Sequence, residues 1–228
     1  MEDKLKDLLA KIDESIKKGD FKSSLKFLNK AVREARYDGV KSAIVNELNR
    51  KRIEIYDRIF IPLPKIFSNE TPWILGLIIG AIIFYYSFVT EHIVSIISFL
   101  IGAALILVVT HPLAHIFIGR LYGIKIIKAY LGGVAKFEPT VIADFLTYFS
   151  AGPKQRRNYH AAGSITTVLT SLIIFLIVLF LSYSFYIKIL ALIIFIAILL
   201  TDVFYSPKYS DWKRARKELK YKEIKVEK

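Results

Sequence analysis

Residues 93–118 read IVSIISFLIGAALILVVTHPLAHIFI, an apolar run that contains no Asp, Glu, Lys or Arg. A helix crosses the roughly 30 Å hydrocarbon core of a bilayer with about 20 such residues. A buried helix of a soluble protein rarely runs this long without a charge. The stretch therefore predicts a membrane-spanning helix, and its two histidines lie near its C-terminal end.

Three more apolar stretches accompany this one, at residues 73–89, 161–183 and 189–205. The chain is 54% hydrophobic and its mean hydropathy is +0.43, which is too apolar for a soluble domain of 228 residues. We predict an all-α membrane protein with about four transmembrane helices.

The sequence outside these stretches suggests the domain organisation. Residues 1–60 carry apolar residues at helical spacing on an otherwise charged background, which predicts three amphipathic helices. We interpret them as a bundle capping the membrane domain, in preference to a dedicated partner-binding module. A proline-containing linker at 61–72 precedes a membrane domain at 73–207, and a basic tail follows at 208–228.

Lysine and arginine placement predicts the orientation. Three regions are basic: the N-terminal region, the 119–160 segment and the tail. Lys188 is the only lysine or arginine in the two short turns between spans. Four spans place all three basic regions in the cytoplasm, so we expect a multi-pass protein of the cell membrane with both termini inside. This bias accounts for the net charge of +13 without a nucleic-acid partner. The expected partner is the lipid bilayer, with the tail drawn to anionic headgroups.

Ionisable residues are rare within the predicted spans. The second span has His111 and His115, and the fourth has Asp202. Spans two and four run in the same direction, so these residues lie at similar depth, and the histidines share one helix face. Two imidazoles and a carboxylate can bind zinc and leave a fourth position open. The alternative is that the histidines are neutral and bond to backbone or each other, while Asp202 caps a helix end or pairs with Lys208.

The sequence from His111 to Glu138, HPLAHIFIGRLYGIKIIKAYLGGVAKFE, resembles the site-2 protease family of intramembrane zinc metallopeptidases. That family has a helical HExxH motif followed by a short extended segment containing Gly-Gly. The resemblance covers residues 93–207. It implies one zinc ion held by His111, His115 and Asp202, and a membrane-anchored protein as substrate.

The family's Ala-Gly-Pro motif with a nearby asparagine has two counterparts here. Ala162-Gly163-Ser164 with Thr167 opens the third predicted span. Ala151-Gly152-Pro153 with Asn158 matches more literally but is expected in a charged loop, so the first alignment is preferred.

Pro112 is the main departure from the family, because it stands where the family has the glutamate that acts as general base. Loss of a general base typically slows a reaction about 10²–10⁴-fold. The resemblance therefore leaves two functions open: a membrane zinc metallopeptidase with Pro112 in place of its catalytic glutamate, and a non-catalytic pseudoprotease that binds a membrane partner or assists assembly. A small transporter is a third class, disfavoured because no internal repeat is evident.

Three other residues are secondary candidates. Glu138 could replace the lost base only if the predicted hairpin at 125–138 folds back toward the histidines. His160 is a possible fourth ligand, although an interfacial side chain is the simpler interpretation. Asp211 is the fallback third ligand if Asp202 fails. A short interfacial helix is expected at 141–148.

Overall fold

The computed structural model describes residues 2–35, 40–132, 138–201, 211–219, 221 and 226–227. These residues are predominantly helical, which confirms the predicted all-α class. The chain divides into two compact units. The helix–hairpin unit comprises Met1–Lys65, Gly119–Arg156 and Glu218–Lys228, and the apolar-helix unit comprises Ile66–Ile118 and Arg157–Lys217.

Three amphipathic helices begin the helix–hairpin unit: α1 (Glu2–Lys17), α2 (Phe21–Ala35) and α3 (Ser42–Ile59). Helix α2 packs against both of the others. Gly19 adopts φ +71° in the turn between α1 and α2, a conformation that glycine reaches without steric cost. The buried apolar residues recur at helical spacing on each helix: Leu5, Leu8, Ile12, Leu28, Ala31, Ala35, Val45, Leu48 and Ile55.

The helix–hairpin unit also contains a small three-stranded sheet. Strand β3 (Ile126–Gly132) pairs antiparallel with β4 (Glu138–Ala143), and β2 (Ile61–Pro62) pairs with β3 on its other edge. An antiparallel hairpin is therefore present, but its second strand begins at Glu138, the last residue of the predicted segment, and residues 133–137 lie outside the described residues. Two further short strands, β1 (Val40–Lys41) and β5 (Val226–Glu227), pair in parallel.

The short helix expected at 141–148 was placed too early. Val141 lies in β4, and the helix α6 spans Phe145–Ser150. The β-branched residues Thr140, Val141 and Ile142 favour a strand. Asp144 then begins the helix, because its carboxylate accepts a hydrogen bond from the Thr147 backbone N–H at 3.0 Å.

Helix α3 is fixed to the strand–helix junction by polar contacts. The Asn49 side chain donates to the Asp144 carboxylate and accepts from the Phe145 N–H at 3.0 Å. The Arg52 guanidinium lies 4.5 Å from the centre of the Phe145 ring and donates to the Ala143 carbonyl. These contacts join the N-terminal helices to the hairpin and α6 within one unit.

The apolar-helix unit contains three helices that are long and apolar enough to cross a membrane. They are α4 (Thr71–Val89), α5 (His92–Leu121) and α7 (Pro153–Phe180). Helix α7 begins eight residues before the predicted span at 161, so the charged segment with Pro153 and Asn158 is helical rather than a loop. Large apolar side chains remain exposed on these helices, with Phe180 at 80%, as expected of surfaces in contact with lipid.

The fourth predicted span is only partly described. Helix α8 (Phe185–Leu199) is apolar but has 15 residues, fewer than the other three. Residues 202–205 of that predicted span lie outside the described residues. The structure thus shows three helices of spanning length among the residues it describes, together with one shorter apolar helix.

A close-packed core holds the apolar helices together. Phe84 on α4, Phe99 on α5, Val178 on α7 and Ile187 on α8 belong to one buried cluster. Gly102 allows the close approach of α4 and α5, because a Cβ there would lie 2.5 Å from the Phe84 backbone nitrogen. This packing holds α5 and α7 in place, and the candidate site lies at the other end of these two helices.

Candidate metal centre

Helix α5 carries the two histidines on one face, as their spacing predicts. His111 and His115 are one turn apart, and their ring centres are separated by 5.0 Å. The helix continues through Pro112, which lies between them in sequence. His115 is buried, and the side chain of His111 is 23% exposed.

Asp211 supplies a carboxylate to both imidazoles. It is the first residue of α9 (Asp211–Glu218), and its side chain is 15% exposed. Its Oδ2 atom lies 3.1 Å from His111 Nε2 and 3.0 Å from His115 Nε2. Ligand atoms of the three side chains all lie within 4.8 Å of one another.

Helix α7 forms the wall of the site with residues spaced i, i+3 and i+7. Gly163 lies directly against the imidazoles: a Cβ there would be 2.5 Å from His115 Nε2 and 2.6 Å from His111 Cε1. His160, one turn earlier, places Nδ1 3.8 Å from Asp211 Oδ1. Thr167, one turn later, places Oγ1 3.0 Å from His111 Nδ1.

Oxygen atoms of α7 fix the tautomer of each histidine. His115 Nδ1 lies 2.8 Å from the Tyr159 carbonyl, which only accepts, so Nδ1 carries the proton. The Thr167 hydroxyl donates to the Gly163 carbonyl at 3.0 Å, so it accepts from His111 Nδ1. In the neutral form of each ring, the Nε2 lone pair then faces Asp211. Metal-ligating histidines commonly donate their other ring N–H in this way.

Three lone-pair donors therefore converge on one point. Without a cation, Nε2 can approach the carboxylate oxygen at 3.0–3.1 Å only as N–H, which would require both imidazoles to be charged, including the buried His115. His111, His115 and Asp211 could instead share their lone pairs with a bound metal ion, which would remove this requirement. In a tetrahedral zinc site with bonds near 2.0 Å, neighbouring ligand atoms are about 3.3 Å apart, close to the two distances between Nε2 and the carboxylate oxygen.

The Asp211 carboxylate is held in its ionised form. In the metal-free state with protonated imidazoles, burial alone raises its pKa, but the charge of His115 and the contacts from His111, His115 and His160 outweigh burial and hold the pKa well below its usual range. Arg214, one turn along α9, adds Nη1 at 3.9 Å from Asp211 Oδ1. The carboxylate is thus available as a ligand at neutral pH.

The predicted site residues have different outcomes. His111 and His115 come together, and Asp211 lies with them. Asp202, the predicted third ligand, lies outside the described residues. His160 is adjacent to the carboxylate. Glu138 is exposed at the start of β4.

The two alignments of the middle motif also differ in their contacts. Gly163 and Thr167 face the histidines, as the preferred alignment places them. Asn158 accepts from Arg157. The Tyr159 carbonyl could not be predicted from the sequence, because every residue has a backbone carbonyl and residue type does not indicate which one accepts a hydrogen bond.

Comparison with protein-family models, curated proteins and solved structures found no match.

Proposed function

We propose that this chain is a membrane metalloprotein of site-2 protease type that holds one zinc ion through His111, His115 and the carboxylate of Asp211. The supporting observation is the convergence of two Nε2 atoms and a carboxylate oxygen, with both Nδ1 atoms engaged by oxygen atoms of α7. Asp202 remains the alternative carboxylate that the sequence suggests.

The chemistry of the donor set favours zinc. Imidazole nitrogen and carboxylate oxygen suit zinc better than the all-oxygen sites of magnesium and calcium. The chain has no cysteine, so thiolate sites are excluded. Three protein ligands leave a fourth position open, which is the arrangement of catalytic rather than structural zinc sites.

Pro112 determines which activity the site supports. Zinc supplies Lewis acidity and lowers the pKa of a bound water. Proline has no side-chain atom that can take the proton, so hydrolysis by the usual mechanism loses about 10²–10⁴-fold in rate. We therefore favour a pseudoprotease that recognises a membrane-anchored protein, over an efficient peptidase acting on such a substrate.

The proposed topology has four spans, with α8 and the residues after it forming the fourth, and the termini and helices α1–α3 in the cytoplasm. The basic residues of the terminal regions and of 119–160 support it. Since the chain lacks cysteine, single cysteines introduced at Ser23 and Ser184 can be labelled with an impermeant maleimide in intact cells. Labelling at Ser184 alone is expected; labelling at Ser23 would contradict the topology.

Zinc content tests the metal site. Protein purified in mild detergent is expected to hold about one zinc by mass spectrometry of the metal. His115→Ala and Asp211→Asn are expected to abolish this content, whereas Asp202→Asn serves as the matched control and retains it. Loss of zinc in Asp202→Asn and retention in Asp211→Asn would assign the ligand to the other aspartate. Zinc-free wild-type protein would overturn the proposal.

Restoring the missing base tests the activity. Pro112→Glu is expected to cleave a membrane-anchored reporter peptide at least about 10²-fold faster than the wild type, provided that zinc is retained. The control is Pro112→Gln, which restores the backbone N–H but not the base. Equal rates for the two variants would show that loss of the base is not what limits proteolysis.

A further inference from the structure

Helix α9 has two chemically different faces. Asp211, Ala215 and Glu218 are spaced i, i+4 and i+7 and lie on the less exposed face, with Ala215 and Glu218 fully buried. Both acidic residues of the helix are on this face. The other face is exposed and cationic, and consists of Lys213, Arg214, Arg216 and Lys217.

In the proposed topology, the position of the site along α5 and α7 brings this cationic face to the headgroup level of a bilayer. His115 lies five residues before Arg120, the first charge after the apolar run of α5, which is about 8 Å along a helix. On α7, His160 lies three residues after Arg157. Both helices therefore bring Asp211 within about 10 Å of the point where charged sequence resumes, and the headgroup layer occupies that zone.

We propose that the cationic face of α9 binds anionic lipid headgroups, and that this binding tightens the metal site through Asp211. The second part rests on the proposed function. Charge complementarity carries the choice of partner, because four exposed cations without an exposed anion lie beside apolar helices of spanning length. A metal ion would hold the first residue of α9, and lipid headgroups would hold its cationic face. Each ligand therefore lowers the conformational entropy that α9 loses when the other ligand binds.

Such coupling is reciprocal, and its expected size is about tenfold in zinc affinity. The measurement is zinc affinity in nanodiscs of phosphatidylcholine and in nanodiscs with about one-third phosphatidylglycerol. An anionic surface also concentrates any divalent cation, so the gain on adding anionic lipid must be compared between proteins. The test variant is K213Q/R216Q/K217Q, which leaves Arg214 in place because it contacts Asp211.

The expected result is a gain in zinc affinity about tenfold larger for the wild type than for the test variant. The matched control is K22Q/K26Q/K30Q, which removes the same charge from exposed positions of α2. It is expected to keep the wild-type gain. Equal gains in the wild type and the α9 variant would overturn the coupling.

A metal-free measurement separates this proposal from the zinc site. The chain has two tryptophans, so Trp73→Phe leaves Trp212 on α9 as the only indole. Its fluorescence is expected to be quenched more by brominated phosphatidylglycerol than by brominated phosphatidylcholine, and the α9 variant is expected to lose the difference. Equal quenching by the two lipids would refute lipid selectivity. Inorganic phosphate that abolishes the difference would identify a free anion as the occupant instead.

If no disc shows zinc binding, the proposed function fails, yet the quenching still decides the lipid contact. If zinc binds and anionic lipid raises its affinity equally in the wild type and the α9 variant, the lipid coupling is refuted and the metal site is retained.

Discussion

Two ionic clusters of this protein differ in whether their hydrogen-bond donors and acceptors are matched. In the helix–hairpin unit, the Arg156 Nε donates to Glu218 Oε2 at 2.9 Å, and the Tyr148 hydroxyl donates to Glu218 Oε1 at 2.8 Å. Arg156 also donates to the carbonyl of Ala151 at 2.5 Å. In the apolar-helix unit, His111, His115 and Asp211 direct lone pairs at one another.

The difference separates a structural cluster from a ligand site. The Arg156–Glu218 pair balances one positive with one negative charge, and every contact named above joins a donor to an acceptor. Both side chains are almost completely buried. The histidine cluster needs protons or a metal ion from outside to reach the same balance. A buried polar group is therefore informative about function when its neighbours cannot satisfy it.

The largest expected effect comes from breaking the balanced pair. Arg156→Met leaves the Glu218 carboxylate buried without its cation, and is expected to lower the free energy of unfolding by about 3–5 kcal/mol. Denaturation in mixed detergent micelles, followed by circular dichroism, measures it. The double variant Arg156→Met/Glu218→Met is the control and should be more stable than the single one. A cost below about 1 kcal/mol for the single variant would show that the Glu218 carboxylate does not depend on Arg156 for its charge balance.

Filling the space beside the imidazoles gives the next largest effect. Gly163→Ala places a methyl group 2.5–2.7 Å from atoms of both histidines, so the rings must move. Zinc affinity is expected to fall about 10²-fold, or about 2.7 kcal/mol. Competition with a chelating dye measures it, and Ser164→Ala, one residue along α7, is the control that should keep its affinity. Unchanged affinity in Gly163→Ala would mean that the histidines do not bind metal in the observed geometry.

Removing an outer hydrogen bond has a smaller effect. Thr167→Val deletes the acceptor of His111 Nδ1 while keeping the shape of the side chain. Zinc affinity is expected to fall about 10–100-fold, as for other partners of ligating histidines. Thr167→Ser keeps the hydroxyl and should retain most of the affinity in the same chelator competition. Equal losses in the two variants would point to packing rather than to the hydrogen bond.

An exposed ion pair provides the lower limit of the series. Lys11 pairs with Asp7 one turn earlier on α1, and both side chains are about half exposed. Lys11→Ala is expected to change the free energy of unfolding by no more than about 0.5 kcal/mol, since exposed pairs contribute little. The micelle denaturation used for Arg156→Met measures it, and a cost near that of the buried pair would invalidate the contrast.

The local sequence predicted much of the fold and both histidines of the candidate site, and it offered Asp211 only as the fallback ligand. Charge-free apolar length is a strong signal, so α4, α5 and α7 were all expected. The spacing of His111 and His115 on a helix was sufficient to place them on one face. The hairpin was expected from its alternating residues and glycines. The predicted helix start at Val141 was wrong, because the β-branched residues 140–142 favour a strand and the Asp144 cap starts the helix later.

The carboxylate was harder to predict because it depends on how distant segments meet. Asp202 lies inside an apolar run, where any ionisable residue is noticeable, and residues 202–210 are not described. Asp211 lies in a charged segment, DWKRARKE, where an acidic residue is ordinary, so the sequence ranked it below Asp202 as the fallback ligand. The available signal was the spacing of Asp211, Ala215 and Glu218, which gives α9 one face without basic residues.

The length of α5 exceeds the thickness of the hydrocarbon core of a typical bilayer. Its 30 residues extend about 45 Å, roughly 15 Å more than the hydrocarbon layer. A spanning helix of this size must tilt or project, and the surplus shifts with the thickness of the surrounding bilayer. Since the histidines lie within the last three turns of α5, a thicker bilayer would draw them toward the acyl chains and a thinner one would expose them to water. Hydrophobic mismatch therefore offers a way to change the hydration of the histidine pair without altering a single residue.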